Sequence, residues 1–362
     1  MKSASPILVY GPAYLDLVLE IDRPLLLGTL LDQSLPAAHI THAEGETLQV
    51  LGPTGDRLAF HLPPGCGDAA TYHLSEPVLA RLQGEGTEQI ITGEYPAVCV
   101  RRQLGGMGAG YAMALHGLLR SPIGLQRGRP EAVGAQVLEE FARYGIRHQP
   151  CLLPDCPSDT SLIILSARGD KLAIGLRQAM VRWRATDDDR ALAAQADAFV
   201  FCGAPNALMA EVLCHGSTAP VMCAPAMRNV VDTEVPLAGL ASRIHYLTLN
   251  ALEWAHLAGK ERLRELVPVI SVTDGPRGSR VFFSGDELAI TAIPRTQPAN
   301  TNRAGETYGA TFFRTLLREC PDFMRPGKMP ASLVELAAQL ATVQAARQLD
   351  LEGFAFPPEE DQ

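Results

Sequence analysis

The 362-residue sequence contains no run of about 18 consecutive apolar residues, the length a transmembrane helix requires. Its opening, MKSASPILVYG, lacks the long apolar core of a secretion signal and runs straight into a strand-like segment, so a cytoplasmic protein is expected. None of the cysteines, at 66, 99, 151, 156, 202, 214, 223 and 320, pairs in CxxC spacing. Several stand in apolar surroundings such as FVFCG and APVMCAP, which predicts buried, reduced thiols. The 9 histidines form no HExxH and no cluster with ligand spacing; those in ITHAEGE and RIHYLTL read as structural, so no zinc site is expected. No block of Lys and Arg exceeds a pair and the net charge is −9, which argues against a nucleic-acid surface while leaving room for a local basic pocket. Internal repeats are absent.

What is present suits one large α/β domain over 1–362: 47% hydrophobic residues for a core and 20% charged residues for a surface. ILVYG (7–11) reads as a buried strand and YLDLVLEID (14–22) as an alternating, half-exposed one. Residues 24 to about 104 hold many Gly, Pro and Thr with β-like pieces (TLQVLG, DRLAFHL, AVCVRRQL) and one helix-like piece, EPVLARLQ. They read as a β-rich excursion from the main sheet. From 105 onward strands and helices alternate. GGMGAGYAMALHGLL turns helical, PEAVGAQVLEEFARYGI is an amphipathic helix stopped by Gly145, and TSLIILSARGDKLAIGL is a hairpin. DAFVFCG, APVMCAP, IHYLTLN and VPVISVT are short apolar strands separated by helical or loop segments, and two helices close the chain. Such alternation predicts a doubly wound, mostly parallel sheet covered on both faces. The last residues, 355–362, read as a flexible tail.

In open α/β sheets ligands bind beyond the carboxyl ends of the strands, so the loops there were searched for chemistry. LGGMGAG (104–110) permits a close turn at a helix start; a dinucleotide fingerprint is excluded because the G-x-G-x-x-G frame is wrong and no Asp or Glu lies between Gly110 and Pro130. LTLNALEW places Asn250 at a strand end with Glu253 in the next turn. That is either a plain capping pair or an amide and a carboxylate able to organise hydrated Mg2+. VTDGPRG offers Thr273, Gly275 and Gly278 as a β-turn or as a phosphate-contacting loop. NTNRAGE (300–306) is a helix N-terminus carrying Glu306, favourable to the helix dipole and also able to take a proton from something held there.

Together these four stretches resemble the ribokinase-like, or PfkB, family of carbohydrate and nucleoside kinases, over nearly the whole chain. VYGPAYLDLVLEI is similar to the family's first strand, whose aspartate, here Asp16, binds substrate hydroxyls. GGMGAG is similar to its glycine pair, Gly105 and Gly106; GRPEAVGAQVLEEFARYGI is similar to its glycine-then-helix stretch; NALE matches its N-x-x-E at Asn250 and Glu253; and VTDGPRG is similar to its phosphate loop. NTNRAGE falls on the family signature D-T-x-G-A-G-D, whose last Asp is the catalytic base. The resemblance implies transfer of the ATP γ-phosphate to a sugar or nucleoside hydroxyl. It implies Glu306 as base, and Ala304 to Glu306 as a backbone cradle for negative charge. Mg2+ would be held through water by Glu253, with a monovalent cation as a further cofactor. It also implies a β-stranded lid, here enlarged within about 14–103, and a homodimer through that lid, with neither nucleic acid nor membrane as partner.

The chain departs from the pattern at Glu306 for Asp, at Arg303 for the first glycine of the turn, at Asn300 for its leading Asp, and at Gly110 for a common sugar-binding Asn. Glu matches Asp in intrinsic pKa to within about 0.4 units, so reach is the issue: one methylene moves the carboxylate by roughly 1 Å. A positive-φ glycine conformation is costly for Arg303. Its guanidinium has two readings, a bidentate phosphate contact or a side chain filling the nucleotide space. The first favours a working kinase. The second favours a binding protein of the same fold that holds a sugar or nucleotide without turning it over.

Overall fold

The computed structural model describes residues 6–21, 38–43, 47–51, 57–61, 77–83, 93–165, 171–214, 218–295, 303–320, 329–351 and 355–357. The chain starts with β1 (Ile7–Tyr10) and turns into β2 (Tyr14–Ile21). Then come β3 (Ala38–Ala43), β4 (Thr47–Leu51), β5 (Arg57–His61), β6 (Pro77–Gln83) and β7 (Gly93–Gly105). Helix α1 (Met107–Ala114) leads to β8 (Leu118–Arg120), β9 (Pro122–Gln126), β10 (Arg129–Pro130), α2 (Ala132–Arg143) and β11 (Cys151–Pro154). The antiparallel pair β12 (Thr160–Leu165) and β13 (Lys171–Leu176) precedes α3 (Gln178–Arg182) and α4 (Asp187–Ala193). The chain then alternates through β14 (Ala198–Cys202), α5 (Asn206–Leu213), β15 (Val221–Ala224), α6 (Met227–Val230) and β16 (Tyr246–Asn250). After α7 (Ala251–His256), α8 (Lys260–Leu266) and β17 (Val269–Thr273), the antiparallel β18 (Ser279–Phe283) and β19 (Asp286–Ile290) finish the strands. Two long helices, α9 (Ala304–Glu319) and α10 (Ala331–Gln348), come last.

The main sheet runs β19-β18-β17-β16-β15-β14-β1-β8, with every pair from β17 to β8 parallel and the other edge antiparallel. Its central parallel strands are apolar on both faces because both faces are covered, whereas the edge strand β19 is largely exposed. Val9 and Val200 point into one cluster with Phe312, Phe313 and Val334 of α9 and α10. Leu8, Tyr10, Phe199 and Phe201 point into the other, with Trp183, Leu208 and Leu263. Full burial of one such large side chain contributes about 1.5–3 kcal/mol. No helix among the described residues is long and apolar enough to cross a membrane.

The β-rich excursion has its own architecture. Strands β2, β7, β5, β4, β3, β6, β13 and β12 pair in a ring that closes as a barrel. The segment EPVLARLQ, expected to be helical, instead supplies β6, paired with β13 on one side and β3 on the other. Leu, Ala, Arg and Gln are good helix formers, but a preference of roughly a few tenths of a kcal/mol per residue yields to pairing with two strand edges. β2 also differs from expectation. Leu15, Leu17, Val18 and Leu19 are all buried, so both of its faces are covered; β7 and β12 flank it and α2 packs on it. Alternation in the sequence reported the strand but not the cover over its second face. Among the cysteines, 151, 156, 202 and 223 are buried free thiols as expected, whereas Cys214 is exposed and Cys320 half-buried. Both end helices, Cys214 after α5 and Cys320 after α9, where the chain leaves the core.

Candidate active site

The expected site residues lie where the parallel strands end. Asn250 and Thr273, the last residues of β16 and β17, are direct neighbours in register. Asn250 Oδ1 accepts the Glu253 N–H at 2.8 Å, and a Glu253 carboxylate oxygen accepts the Asn250 N–H at 3.0 Å. The capping pair therefore forms, and Glu253 is buried by it. It also faces inward: after burial itself, Glu306 and Glu253 are among the charges that push the Tyr111 phenol well above its ordinary pKa.

The loop after Thr273 is linked to α9 by the Ser279–Tyr308 hydroxyl pair, 3.0 Å apart. Thr273 Oγ1 points back to the Leu249 carbonyl at 3.5 Å. Within the loop, Asp274 and Arg277 pair at 2.8 Å. Gly275 is exposed with nothing within 4 Å of where a side chain would stand. Gly278 is different: a Cβ there would meet the Ile290 carbonyl at 2.0 Å, so it serves the close approach of β19.

Asp16, buried in β2, presses its carboxylate against the glycine pair; a Cβ on Gly105 would lie 2.5 Å from it, and one on Gly106 2.3 Å from the Pro12 carbonyl. The absence of both side chains brings the end of β7 onto the β1–β2 corner and keeps Asp16 at the mouth of α1.

Arg303 differs most from expectation. It precedes α9 in the left-handed region, φ 68° and ψ −2°, the conformation that favours glycine. For a non-glycine residue this costs on the order of 1–3 kcal/mol, so the surroundings hold it there. They do so through its side chain, only 8% exposed: Nη2 donates to the Leu104 carbonyl at 2.8 Å and the guanidinium faces the Phe356 ring at 6.0 Å. Ala355 and Phe356, expected in a flexible tail, pack here, with the Ala355 carbonyl accepting from Gln348 at 3.0 Å; residues 358–362 lie outside the described residues. Burial pushes the Arg303 pKa down, while the negative charges of Glu306 and Asp16 oppose that shift. The guanidinium and the Glu306 side chain both lie beside Gly110, 3.1 Å and 3.3 Å from where its Cβ would stand. Among the described residues nothing lies within 4 Å of where a Cβ on Gly305 would stand. The Arg303 side chain makes no capping hydrogen bond to the first N–H groups of α9.

Gly110 accounts for the two larger residues. A Cβ there would stand 3.1 Å from Arg303 Nη1 and 3.3 Å from Glu306 Cγ. The three departures at 110, 303 and 306 thus share one volume, and the small residue makes room for the two large ones.

Sequence reading missed a second set of charges beside Asp16. The Arg177 guanidinium lies 4.0 Å from the Tyr14 ring centroid and donates to the Thr160 carbonyl at 2.5 Å. Arg228 donates to the Gly203 carbonyl. Buried Asp159 accepts the Ala179 N–H at 2.9 Å and the Met180 N–H at 3.3 Å. Arg228 lies just beyond the end of β15, where strand-end logic points, but no motif spacing marks it. Among the described residues no group of three or more His, Cys, Asp and Glu could hold a metal directly.

No curated protein matches the chain in sequence. The profile described as pfkB family carbohydrate kinase matches residues 97–350. Among solved structures, ribokinase from Giardia lamblia superposes with a TM-score of 0.65 at 16% identity, over 97% of this chain and 95% of that one. Arabidopsis thaliana ribokinase, complexed with ribose and ATP, gives 0.58 at 17% over 97% and 100%. Adenosine kinase from Sinorhizobium meliloti gives 0.57 at 15% over 95% and 93%. At these identities the likeness establishes the ribokinase-like α/β fold.

Proposed function

The chain belongs to the pfkB family of carbohydrate kinases, and we propose that it transfers the γ-phosphate of ATP to a hydroxyl of a carbohydrate or nucleoside. The observation that carries the proposal is the exposed first turn of α9 at Gly305, beside Glu306, with nothing among the described residues within 4 Å of a Cβ on Gly305. Glu306 takes the proton of the acceptor hydroxyl. The hydroxyl oxygen bonds to the γ-phosphorus as the bond to the bridging β–γ oxygen breaks, and ADP leaves. The N–H groups of Ala304, Gly305 and Glu306 receive the negative charge of the phosphoryl group. Asp16 and the Gly105–Gly106 turn hold the acceptor, and the loop from Thr273 to Gly278 borders the nucleotide phosphates. Buried Glu253, tied to Asn250 at the end of β16, fits Mg2+ held through water by the two residues. When bound, Mg2+ neutralises phosphate charge. A monovalent cation beside the turn remains part of the proposal.

The whole chain acts as one kinase domain, with the barrel as the enlarged lid. Its closed ring leaves no strand edge within it for a second chain, so a lid homodimer would use the barrel's outer face. Light scattering tests that state. For the activity, purified protein with ATP, Mg2+ and a panel of sugars and nucleosides is expected to consume ATP in an acceptor-dependent way, with loss in Glu306→Gln. Absence of ATP binding by calorimetry overturns the proposal. Arg303 beside the Glu306 side chain favours a second reading, a binding protein without turnover; acceptor binding with no ATP consumption selects it.

A further inference from the structure

We propose that the end of the chain is a strap that positions the turn carrying Glu306, with Gln348, at the close of α10, and Phe356 as positioning residues. The strap acts within the kinase reading of that turn. Neither residue belongs to a strand-end motif.

Three ties bracket the turn. Upstream, in the segment after β19, Arg295 Nε donates to the two Asp350 carboxylate oxygens at 3.2 and 3.3 Å. At the turn itself, the Arg303 guanidinium stands over the Phe356 ring, 6.0 Å from its centroid. Downstream, Thr307 Oγ1 donates to Gln348 Oε1 at 3.1 Å. Gln348 Nε2 in turn donates to the Ala355 carbonyl at 3.0 Å. One amide thus joins the first turn of α9 to the residue before Phe356. The backbone closes the same unit, because the Arg303 carbonyl accepts the Thr307 N–H at 2.8 Å. Glu306 lies between these two anchored residues.

The ties differ in weight. The Arg295–Asp350 pair is partly exposed and contributes little by itself. Gln348 and Thr307 are buried, so removing either partner strands a polar group away from water. An amide suits the place, since one end accepts from a hydroxyl while the other donates to a carbonyl. Every other buried residue described on α10 is Val or Ala. A buried glutamine on that face serves its hydrogen bonds, because packing alone would favour another small apolar residue. Phe356 packs against the core that holds Phe312 and Phe313 and offers its ring to Arg303. Arg303 has a left-handed backbone, φ 68°, which a non-glycine residue keeps only when its surroundings enforce it. The Leu104 carbonyl holds one side of its guanidinium and the strap supplies the ring. The backbone angles at 303 set both the direction of the first N–H groups of α9 and the reach of Glu306. A displacement of about 1 Å there can cost on the order of 100-fold in rate. The strap therefore governs rate through geometry, without touching substrate.

The test is steady-state kinetics on the full-length protein, well below its melting temperature, with an acceptor that supports turnover. Thr307→Val keeps the shape of the side chain and removes the hydroxyl, whereas Thr307→Ser keeps the hydroxyl. Phe356→Leu removes the ring, whereas Phe356→Tyr keeps it. Thr307→Val and Phe356→Leu are each expected to lower kcat about tenfold or more, with the KM for ATP within about threefold. The two conservative changes should recover most of that loss. A tie that only stabilised the fold would lower Tm and leave the kcat of folded enzyme unchanged. A loss below about tenfold in either folded disruptive variant, or no recovery in the conservative ones, overturns the inference. Phe356 is half-buried, so Phe356→Leu decides if Thr307→Val does not fold. Failure of the kinase reading is separate and shows as no ATP consumption by the wild type with any acceptor. Hydrogen exchange then reads the strap: Phe356→Leu should speed exchange over residues 303–312 about tenfold or more and leave the central strands unchanged. Equal exchange in that segment overturns the inference.

Discussion

Arg303 Nη1 lies 3.1 Å from the point where a Cβ on Gly110 would stand, so the two positions divide one space between them. Asparagine at 110 must push the guanidinium or Glu306 aside. Gly110→Asn is expected to lower stability by about 1–3 kcal/mol, as overpacking does. Combining it with Arg303→Gly should recover at least about 1 kcal/mol relative to additivity, measured as a double-mutant cycle in denaturant. An additive cycle refutes the shared volume.

Glu306 is partly exposed at the first turn of α9, next to exposed Gly305. Glu306→Gln is expected to cut turnover by about 10²–10⁴-fold while leaving ATP affinity within about threefold. Glu306→Asp keeps the carboxylate but withdraws it by roughly 1 Å, which should cost on the order of 100-fold. Full activity in the Gln variant would remove Glu306 from the role of base.

Gly305 separates binding from stability. Among the described residues nothing stands within 4 Å of its missing side chain, so Gly305→Ala meets no clash with them. Helix propensity favours the alanine by up to about 1 kcal/mol, so Tm should hold or rise. A methyl over the first N–H groups of α9 should raise the KM for ATP about tenfold, equivalent to about 1.4 kcal/mol. A variant with unchanged KM places the phosphate elsewhere.

His245 sets part of the acid response. Burial lowers its pKa to about 4, and its Nδ1 accepts the Val221 N–H at 3.0 Å. In the unfolded chain the ring titrates near about 6.5. The unfolded state therefore binds the extra proton between those values. Stability is complete above about pH 6.5 and falls as pH drops toward 4, by at most about 3 kcal/mol. His245→Gln should flatten that part of a Tm-against-pH curve. An unchanged slope shows that another group causes it.

Arg120 and Asp189 form a buried ion pair at 2.8 Å, joining β8 to the start of α4. Burial alone would raise the Asp189 pKa, but hydrogen bonds from Arg120 and Thr186 outweigh it and hold the carboxyl below its ordinary value. Its contribution is present above about pH 4 and is lost as pH falls through the depressed folded value. Asp189→Ala should cost about 3–5 kcal/mol because Arg120 then stays buried without its partner. The double change with Arg120→Met should cost clearly less. Equal losses in urea titrations would contradict this account.

Strand and helix order in the main sheet was legible because each strand is a short apolar run and each long helix carries a helical-period stripe. ILVY, AFVFC, YLTLN and VISVT are found as strands, and the glycine after α2 has φ 65° as a helix stop requires. β6 was not legible, since its pairing partners lie far away in sequence. Nor was the Arg177–Arg228–Asp159 group. Its members are scattered single residues with no spacing of their own, and only the closure of barrel onto sheet assembles them.

The sequence by itself determined the alternation of strands and helices, the positions of the strand-end motifs and the three departures from the family turn. These are local properties of neighbouring residues. Only the tertiary structure decided what the departures mean together. Where a charged side chain at 303 goes depends on which way a positive-φ residue sends it and on what volume Gly110, 193 positions earlier, leaves empty. Packing across such distances is set by the whole fold: the guanidinium reaches the Leu104 carbonyl and shares the space beside Gly110 with Glu306.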